Sequence, residues 1–201
     1  NGDSDGDYTE DLFIRGEVTD WNEVEYVPEG VKDMGWLGYF VGKNDQLQHL
    51  FIRPFEPTTG VSMSDALEPF FKGVNRNRSI QKLYFCGEPY TNPPIRLTLN
   101  RSTFTALGTF FKNNHTLKRL QLETCNLGVE GSRALALALG SCTNSSLTEL
   151  YLKDITDLEV VDIITSLSMH PHLQKLELEG IPIRTNGCIA MATLLEHSTT
   201  K

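Results

Sequence analysis

One spacing of apolar residues, repeated along the chain, constrains the fold more than any other feature of the sequence. The spacing is apolar-x-x-apolar-x-apolar, and its five copies start 33, 37, 30 and 26 residues apart. The copies start at Leu47, Ile80, Leu117, Leu147 and Leu173, and three residues before them stand Asn44, Asn77, Asn114, Asn144 and His170. Self-similarity at such intervals is typical of repeat proteins, in which each unit buries its apolar side only against its neighbours.

The intervals between the copies also resemble one another, and they predict helices. Residues 37–44 align without a gap on residues 107–114, and residues 133–139 and 158–167 carry apolar side chains at helical spacing. Each unit is therefore predicted to run strand, turn, helix and turn. The first, fourth and sixth motif positions face the helix, and the residues between them face away. The Asn that follows the helix is interpreted as a left-handed capping residue, a conformation that Asn tolerates.

The third copy extends the pattern beyond its sixth position. Residues 117–127 (LKRLQLETCNL) match L-x-x-L-x-L-x-x-N/C-x-L in full, so the chain resembles the leucine-rich-repeat family over about residues 35–201. Units of about 26–30 residues with a full helix resemble the ribonuclease-inhibitor-like, intracellular subclass. The resemblance implies an α/β fold, a leucine-rich-repeat solenoid shaped as a horseshoe arc, with parallel strands on the concave face and helices on the convex face. At the ninth position the other units depart from the family and carry Phe55, Glu88, Ile155 and Ile181.

Charge and composition divide the chain into two parts. Residues 1–34 are predicted to form an acidic N-terminal segment and cap, with Trp21, Tyr26, Val27 and Trp36 covering the first unit. Residues 35–201 are predicted to form an array of about five units that is truncated at the C-terminus, because the last helix is too apolar for a polar end cap. Residues 1–33 carry a net charge of -9 and the remainder +1, which gives no basic field for nucleic acid or an anionic membrane. The proline-rich residues 86–99 are interpreted as a long loop with a short extra strand at 95–99.

Residues capable of chemistry are scattered. The four cysteines lie 39, 17 and 46 residues apart, which fits neither a zinc site nor a disulfide framework, so we expect reduced thiols and a cytoplasmic location. Lys82 could lower the pKa of Cys86, although a plain thiol is favoured. No catalytic motif, cofactor site or metal site is found, and we expect no enzyme activity. Four N-x-S/T sequons occur, at Asn77, Asn100, Asn114 and Asn144, but the repeat already explains three of these Asn residues.

The function predicted from these features is a non-catalytic scaffold that binds a protein partner, of unknown identity, on the concave face. The chain is expected to be a monomer or part of a larger chain, without nucleic-acid or membrane partners. The alternative is a sensor, substrate-receptor or GTPase-regulator module of a larger signalling or enzyme protein. Aromatic and Arg side chains favour protein interfaces, although the proline-rich loop could instead cover Phe51 and Tyr84 while the charges only solvate the face. The candidate partner-binding residues are His49, Phe51, Arg53, Lys82, Tyr84, Arg119, Gln121, Glu123, Glu149, Tyr151, Lys153, Lys175, Glu177 and Glu179.

Overall fold

Strands and helices alternate along the chain in the computed structural model. It describes residues 11–14, 25–26, 30–55, 60, 62–141, 146–156, 158–168, 170 and 172–198. The strands are β1 (Asp11–Ile14), β2 (Glu25–Tyr26), β3 (His49–Ile52), β4 (Lys82–Cys86), β5 (Leu97–Thr98), β6 (Arg119–Glu123), β7 (Cys125–Asn126), β8 (Glu149–Lys153) and β9 (Lys175–Glu179). The helices are α1 (Val31–Lys43), α2 (Met63–Val74), α3 (Arg101–Asn113), α4 (Gly128–Gly140), α5 (Val160–Leu167) and α6 (Thr185–Ser198).

Seven of the strands form one parallel sheet, in the order β2-β1-β3-β4-β6-β8-β9. The five predicted strands are confirmed, and their register places the fourth motif positions side by side, in the order Leu50, Leu83, Leu120, Leu150 and Leu176. The α/β class with a parallel sheet is therefore confirmed. Residues 11–14, which the sequence placed in the N-terminal segment, pair with β3 and extend the same sheet.

The core lies between the sheet and the helices. Alternate strand residues are buried, as the burial pattern of β4, β6 and β8 shows, because successive side chains of a strand point to opposite faces. Successive helices pack against one another in chain order from α1 to α6. The phenylalanines Phe70, Phe71, Phe85, Phe104 and Phe110 fill the space between these layers and are almost fully buried. Within the described part of the chain, every helix falls short of the length and apolar character that crossing a bilayer requires.

The recurring Asn has a different role from the predicted one. Asn44 and Asn114 have extended backbones, with φ of -75° and -95°, so the left-handed cap is wrong. The Asn side chains instead form a ladder between units. Asn77 Oδ1 accepts hydrogen bonds from the amides of residues 79 and 80, while its Nδ2 donates to the carbonyls of Val41 (2.9 Å) and Asn44 (2.8 Å) in the preceding unit. Asn114 repeats the arrangement one unit later, with Nδ2 donating to the Asn77 carbonyl at 3.2 Å.

The hydroxyl two residues after the Asn forms a second rung of this ladder. Ser79 Oγ donates to the Leu47 carbonyl at 2.7 Å, and Thr116 Oγ1 donates to the Ile80 carbonyl at 2.9 Å. The N-x-S/T pattern at these positions is therefore a structural element of the repeat. Asn77 and Asn114 are 1% and 2% exposed, so their amides cannot carry a glycan in this fold. The sequon at Asn144 lies outside the described residues.

The proline-rich segment forms a small structure of its own. Its strand β5 pairs with β7 in a two-stranded parallel sheet, which confirms the predicted extra strand. Arg96 Nη1 donates to the Asp154 carbonyl at 2.7 Å and Nη2 donates to the Asp154 carboxylate at 3.1 Å, which ties this segment to the turn after β8. Asp154 and Thr124, at the turns after β8 and β6, both have a positive φ, of 48° and 52°. The chain is thus fixed at the carboxyl ends of the central strands.

Candidate functional site

The candidate residues share one surface, the side of the sheet that faces away from the helices. We call this surface the open face. Its register puts the residues in columns across the strands: His49, Lys82, Arg119, Glu149 and Lys175 in the first, Phe51, Tyr84, Gln121, Tyr151 and Glu177 in the second, and Cys86, Glu123, Lys153 and Glu179 in the third. Arg53 follows the end of β3, where its backbone amide bonds to the Ile14 carbonyl. Strands about 4.8 Å apart hold these columns at a fixed spacing.

Three aromatic rings stack along the second column. Phe51 lies between Phe13 and Tyr84, with both pairs of ring centroids 4.4 Å apart and interplanar angles of 7° and 2°. The rings keep intermediate exposure because each covers part of its neighbour. Phe13 was not among the predicted site residues, since its strand lies outside the repeat. The strand-like run of apolar residues at 12–14 was the sequence signal that could have placed it in the sheet.

A fourth aromatic residue of this column, Tyr151, lies between two cations. The Arg119 guanidinium lies 4.9 Å from the Tyr151 ring centroid, and Lys175 Nζ lies 4.6 Å from it. Arg119 Nε also donates to Glu149 at 2.7 Å, and the Tyr151 hydroxyl donates to the same carboxylate at 2.9 Å. Burial acts to raise the pKa of Glu149, but the hydrogen bonds from Tyr151 and Arg119 hold it below its ordinary value. Glu149 is therefore a carboxylate at neutral pH, and it fixes both partners in place.

The first aromatic stack connects to this cluster. A hydrogen bond joins Arg119 to Tyr84, although burial is the main influence on Tyr84 and raises the pKa of its hydroxyl. Arg119 thus bridges the stacked rings of β3 and β4 to Tyr151 on β8. The open face therefore presents a connected row of aromatic and cationic groups, held in fixed orientations before any partner arrives.

Some charged side chains on the open face form ion pairs and others do not. On the last strands, Lys153 Nζ lies 3.6 Å from Glu123 and 3.3 Å from Glu179, and Lys175 lies 3.1 Å from Glu177. On β3 and β4, by contrast, Arg53 and Lys82 have no ion pair with any residue in the described part of the chain. Among the described residues, the positive charge without an ion pair therefore lies on β3 and β4 beside the aromatic stack, where the Asp11 carboxylate of β1 contacts His49 Nδ1 at 2.6 Å.

Cys86 and His170 are the described side chains whose surroundings decide whether they could support catalysis. Burial is the main cause that raises the pKa of the Cys86 thiol, to about 11, so the alternative of a lowered pKa beside Lys82 is wrong. His170 is buried, and its Nε2 donates to the Leu139 carbonyl at 2.8 Å, in the place that Asn takes in other units. Over the described ranges, no group of three or more His, Cys, Asp or Glu side chains has the geometry to hold a metal ion.

Several solved structures share this fold, among them domains of tropomodulin and leiomodin-1. The chain aligns with a tropomodulin C-terminal domain of Caenorhabditis elegans at a TM-score of 0.57 and 14% identity, over 85% of this chain and 93% of that one. It aligns with the actin-binding site 2 of leiomodin-1 at a TM-score of 0.58 and 14% identity, over 87% of this chain and 92% of that one. No protein-family model and no curated protein matches the sequence.

These neighbours correct the predicted subclass. Both are leucine-rich-repeat-like domains, but neither is ribonuclease-inhibitor-like, so that assignment is wrong. The physical reason lies in the unit lengths and turns. The first two intervals are 33 and 37 residues, longer than the 26–30 on which the assignment rested, and the second accommodates the β5 segment. Identity of 14% shows the fold that the three chains share and leaves function to the chemistry of this chain's own surface.

Proposed function

We propose that this chain is a non-catalytic protein-interaction module that binds a protein partner on the open face. We further propose that its units form a leucine-rich-repeat arc with the open face on the concave side. The observation that carries the proposal is the stack of Phe13, Phe51 and Tyr84, joined through Arg119 to Tyr151. Rings and an Arg in fixed positions lose little conformational entropy on binding, and such residues dominate the energy of protein interfaces.

The charge distribution supports a directional mode of binding. Arg53 and Lys82, which form no ion pair among the described residues, flank the aromatic stack. The later strands instead carry carboxylates that are held in ion pairs. A partner with an acidic and aromatic contact region opposite β3 and β4 would gain both ring contacts and charge complementarity. Electrostatic complementarity of this kind fixes the orientation of a partner and raises its association rate.

Actin is the first partner to test. The reason is that one structure with this fold is described as the actin-binding site 2 of leiomodin-1. Purified chain would be titrated into monomeric actin and sedimented with filaments, alongside a variant with Phe51→Ala, Tyr84→Ala and Tyr151→Ala. Replacing three aromatic residues at an interface core is expected to weaken binding by at least about a hundredfold.

A charge variant and a distant control complete the experiment. Arg53→Glu with Lys82→Glu leaves the rings in place and is expected to lower the association rate and its dependence on salt. The control is Thr105→Ala with Thr109→Ala, two exposed residues on the outer side of α3, which should leave binding unchanged. Actin binding that survives the triple substitution would exclude the open face as the actin site. If neither monomeric nor filamentous actin binds, actin is excluded as the partner, and a capture experiment must identify another.

A further inference from the structure

Helix α1 carries a stripe of solvent-exposed aromatic and basic side chains that has no counterpart on any other described helix. Its exposed residues are Lys32, Trp36, Tyr39, Phe40 and Lys43, which follow one another at helical spacing. Trp36, Tyr39 and Phe40 are 64%, 39% and 62% exposed, so the prediction that Trp36 packs as a buried cap is wrong. Three of the four exposed aromatic side chains in the described part of the chain lie on this helix, and Tyr90 is the fourth. Such a concentration is characteristic of an interaction surface.

The three rings contact one another and form one patch. Trp36 and Phe40 stack with centroids 6.4 Å apart, and Tyr39 meets Trp36 and Phe40 edge-on at 6.2 and 5.5 Å. On the opposite side of the helix, glycines bring α1 and α2 together at backbone distance. A Cβ on Gly38 would lie 2.2 Å from the Phe70 carbonyl oxygen, and one on Gly42 would lie 2.3 Å from the Gly73 carbonyl oxygen. The stripe is therefore mounted on a rigidly packed helix.

Positive charges predominate around the patch. Lys43 Nζ lies 4.3 Å from the centroid of the Tyr39 ring. A hydrogen bond with Lys43, its positive charge and that of Arg76 on the neighbouring turn lower the pKa of the Tyr39 hydroxyl. Lys32 marks the other end of the stripe, where Asp33, which is partly exposed, is the one acidic residue of α1. This positive, aromatic patch stands out on a chain whose formal net charge is -8.

We propose that the α1 stripe is a second docking surface, separate from the open face, which takes an acidic protein segment bearing apolar side chains. Carboxylates of the segment pair with Lys32, Lys43 and Arg76, while its apolar side chains pack on Trp36 and Phe40. Charge complementarity selects this occupant, because an acidic segment is attracted to the patch and a basic one is repelled. A membrane surface with anionic lipids is disfavoured, since the net charge of the chain opposes its approach.

The test uses the whole chain and a defined set of labelled peptides, with binding measured by fluorescence anisotropy. The first peptide alternates Glu with Phe and Leu over about eight residues, enough to follow the roughly 20 Å of α1 in an extended conformation. Its two controls replace Phe and Leu by Ser, or Glu by Lys. We expect the acidic, apolar peptide to bind at least about tenfold more tightly than either control. Vesicles of phosphatidylcholine with phosphatidylserine form the membrane arm.

Matched variants locate the binding. Trp36→Ser with Phe40→Ser removes the apolar patch, and Lys32→Glu with Lys43→Glu reverses its charge; each should weaken the peptide at least about tenfold. Leu137→Ser removes a side chain that is 75% exposed on α4 and should change nothing. Circular dichroism checks that each variant is folded. Equal binding of all three peptides, unchanged binding by the α1 variants, or stronger binding to vesicles than to the peptide would each overturn the proposal.

Discussion

Replacing Asn114 by Ala tests the ladder that joins the units. The side chain is 2% exposed, and its Oδ1 accepts from the amides of Thr116 (3.0 Å) and Leu117 (2.7 Å) while Nδ2 donates to the Asn77 carbonyl (3.2 Å). Each net hydrogen bond contributes about 0.5–1.5 kcal/mol, and buried partners left unsatisfied raise the loss. We therefore expect Asn114→Ala to lower the free energy of unfolding by about 3–4 kcal/mol.

Asn44 provides a matched control at the same position of an earlier unit. Its Oδ1 accepts from the amides of Gln46 and Leu47, both at 2.8 Å, but the side chain is exposed. Water can replace those bonds in the variant, so Asn44→Ala should lose only about 1 kcal/mol. Urea unfolding followed by circular dichroism measures both losses, provided that the denaturant slope stays unchanged. Equal losses for the two variants would refute the claim that burial makes the ladder important.

Three further outcomes follow from the same structure. Burial is the main cause that lowers the pKa of His170, so its contribution to stability is present above the ordinary His value of about 6.5 and is lost as the pH falls below it. Between about pH 7.5 and 5.5, the free energy of unfolding of a His170→Asn variant should therefore fall less steeply than that of the wild type. The two slopes should differ by at most about 1.4 kcal/mol per pH unit, and identical pH profiles would contradict this assignment. Gly38→Ala should lower the melting temperature, because the added Cβ would lie 2.2 Å from a backbone atom of α2. Gly35→Ala should raise the melting temperature, because the nearest atom lies 3.8 Å away and Ala has the higher helix propensity. The reverse order of melting temperatures would show that the glycine contact is unimportant. Cys86, with a pKa of about 11, should react with iodoacetamide at pH 8 far more slowly than the exposed Cys188. Labelling followed by mass spectrometry measures both rates, and equal rates would contradict the prediction.

The sequence predicted the repeat and the sheet because both depend on local periodicity. Leu50, Leu83, Leu120, Leu150 and Leu176 lie in register since the motif itself fixes which strand residues face the helices. The role of the Asn residues was missed, because their Nδ2 groups bond to carbonyls about one unit away, a contact that no pattern within a unit reveals.

Surface assignments were harder to predict than the core. Trp36 was expected to be buried because large aromatic residues usually are, yet the close packing of Gly38 and Gly42 on α2 turns it outward. Phe13 was missed because β1 has no copy of the motif, although it completes the aromatic stack. The columns of the open face followed directly from strand alternation, whereas their ion pairs depend on side-chain conformations that only the structure gives.

The open face as a docking surface is tested most directly by quantitative affinity capture from cells that make this chain. Wild type, the variant with Phe51→Ala, Tyr84→Ala and Tyr151→Ala, and the Thr105→Ala, Thr109→Ala control would be compared by mass spectrometry. The proposal predicts at least one protein that wild type and control retain in similar amounts and that the triple variant, still folded, loses by at least about tenfold. The same set of retained proteins, in the same amounts, on all three baits would contradict it.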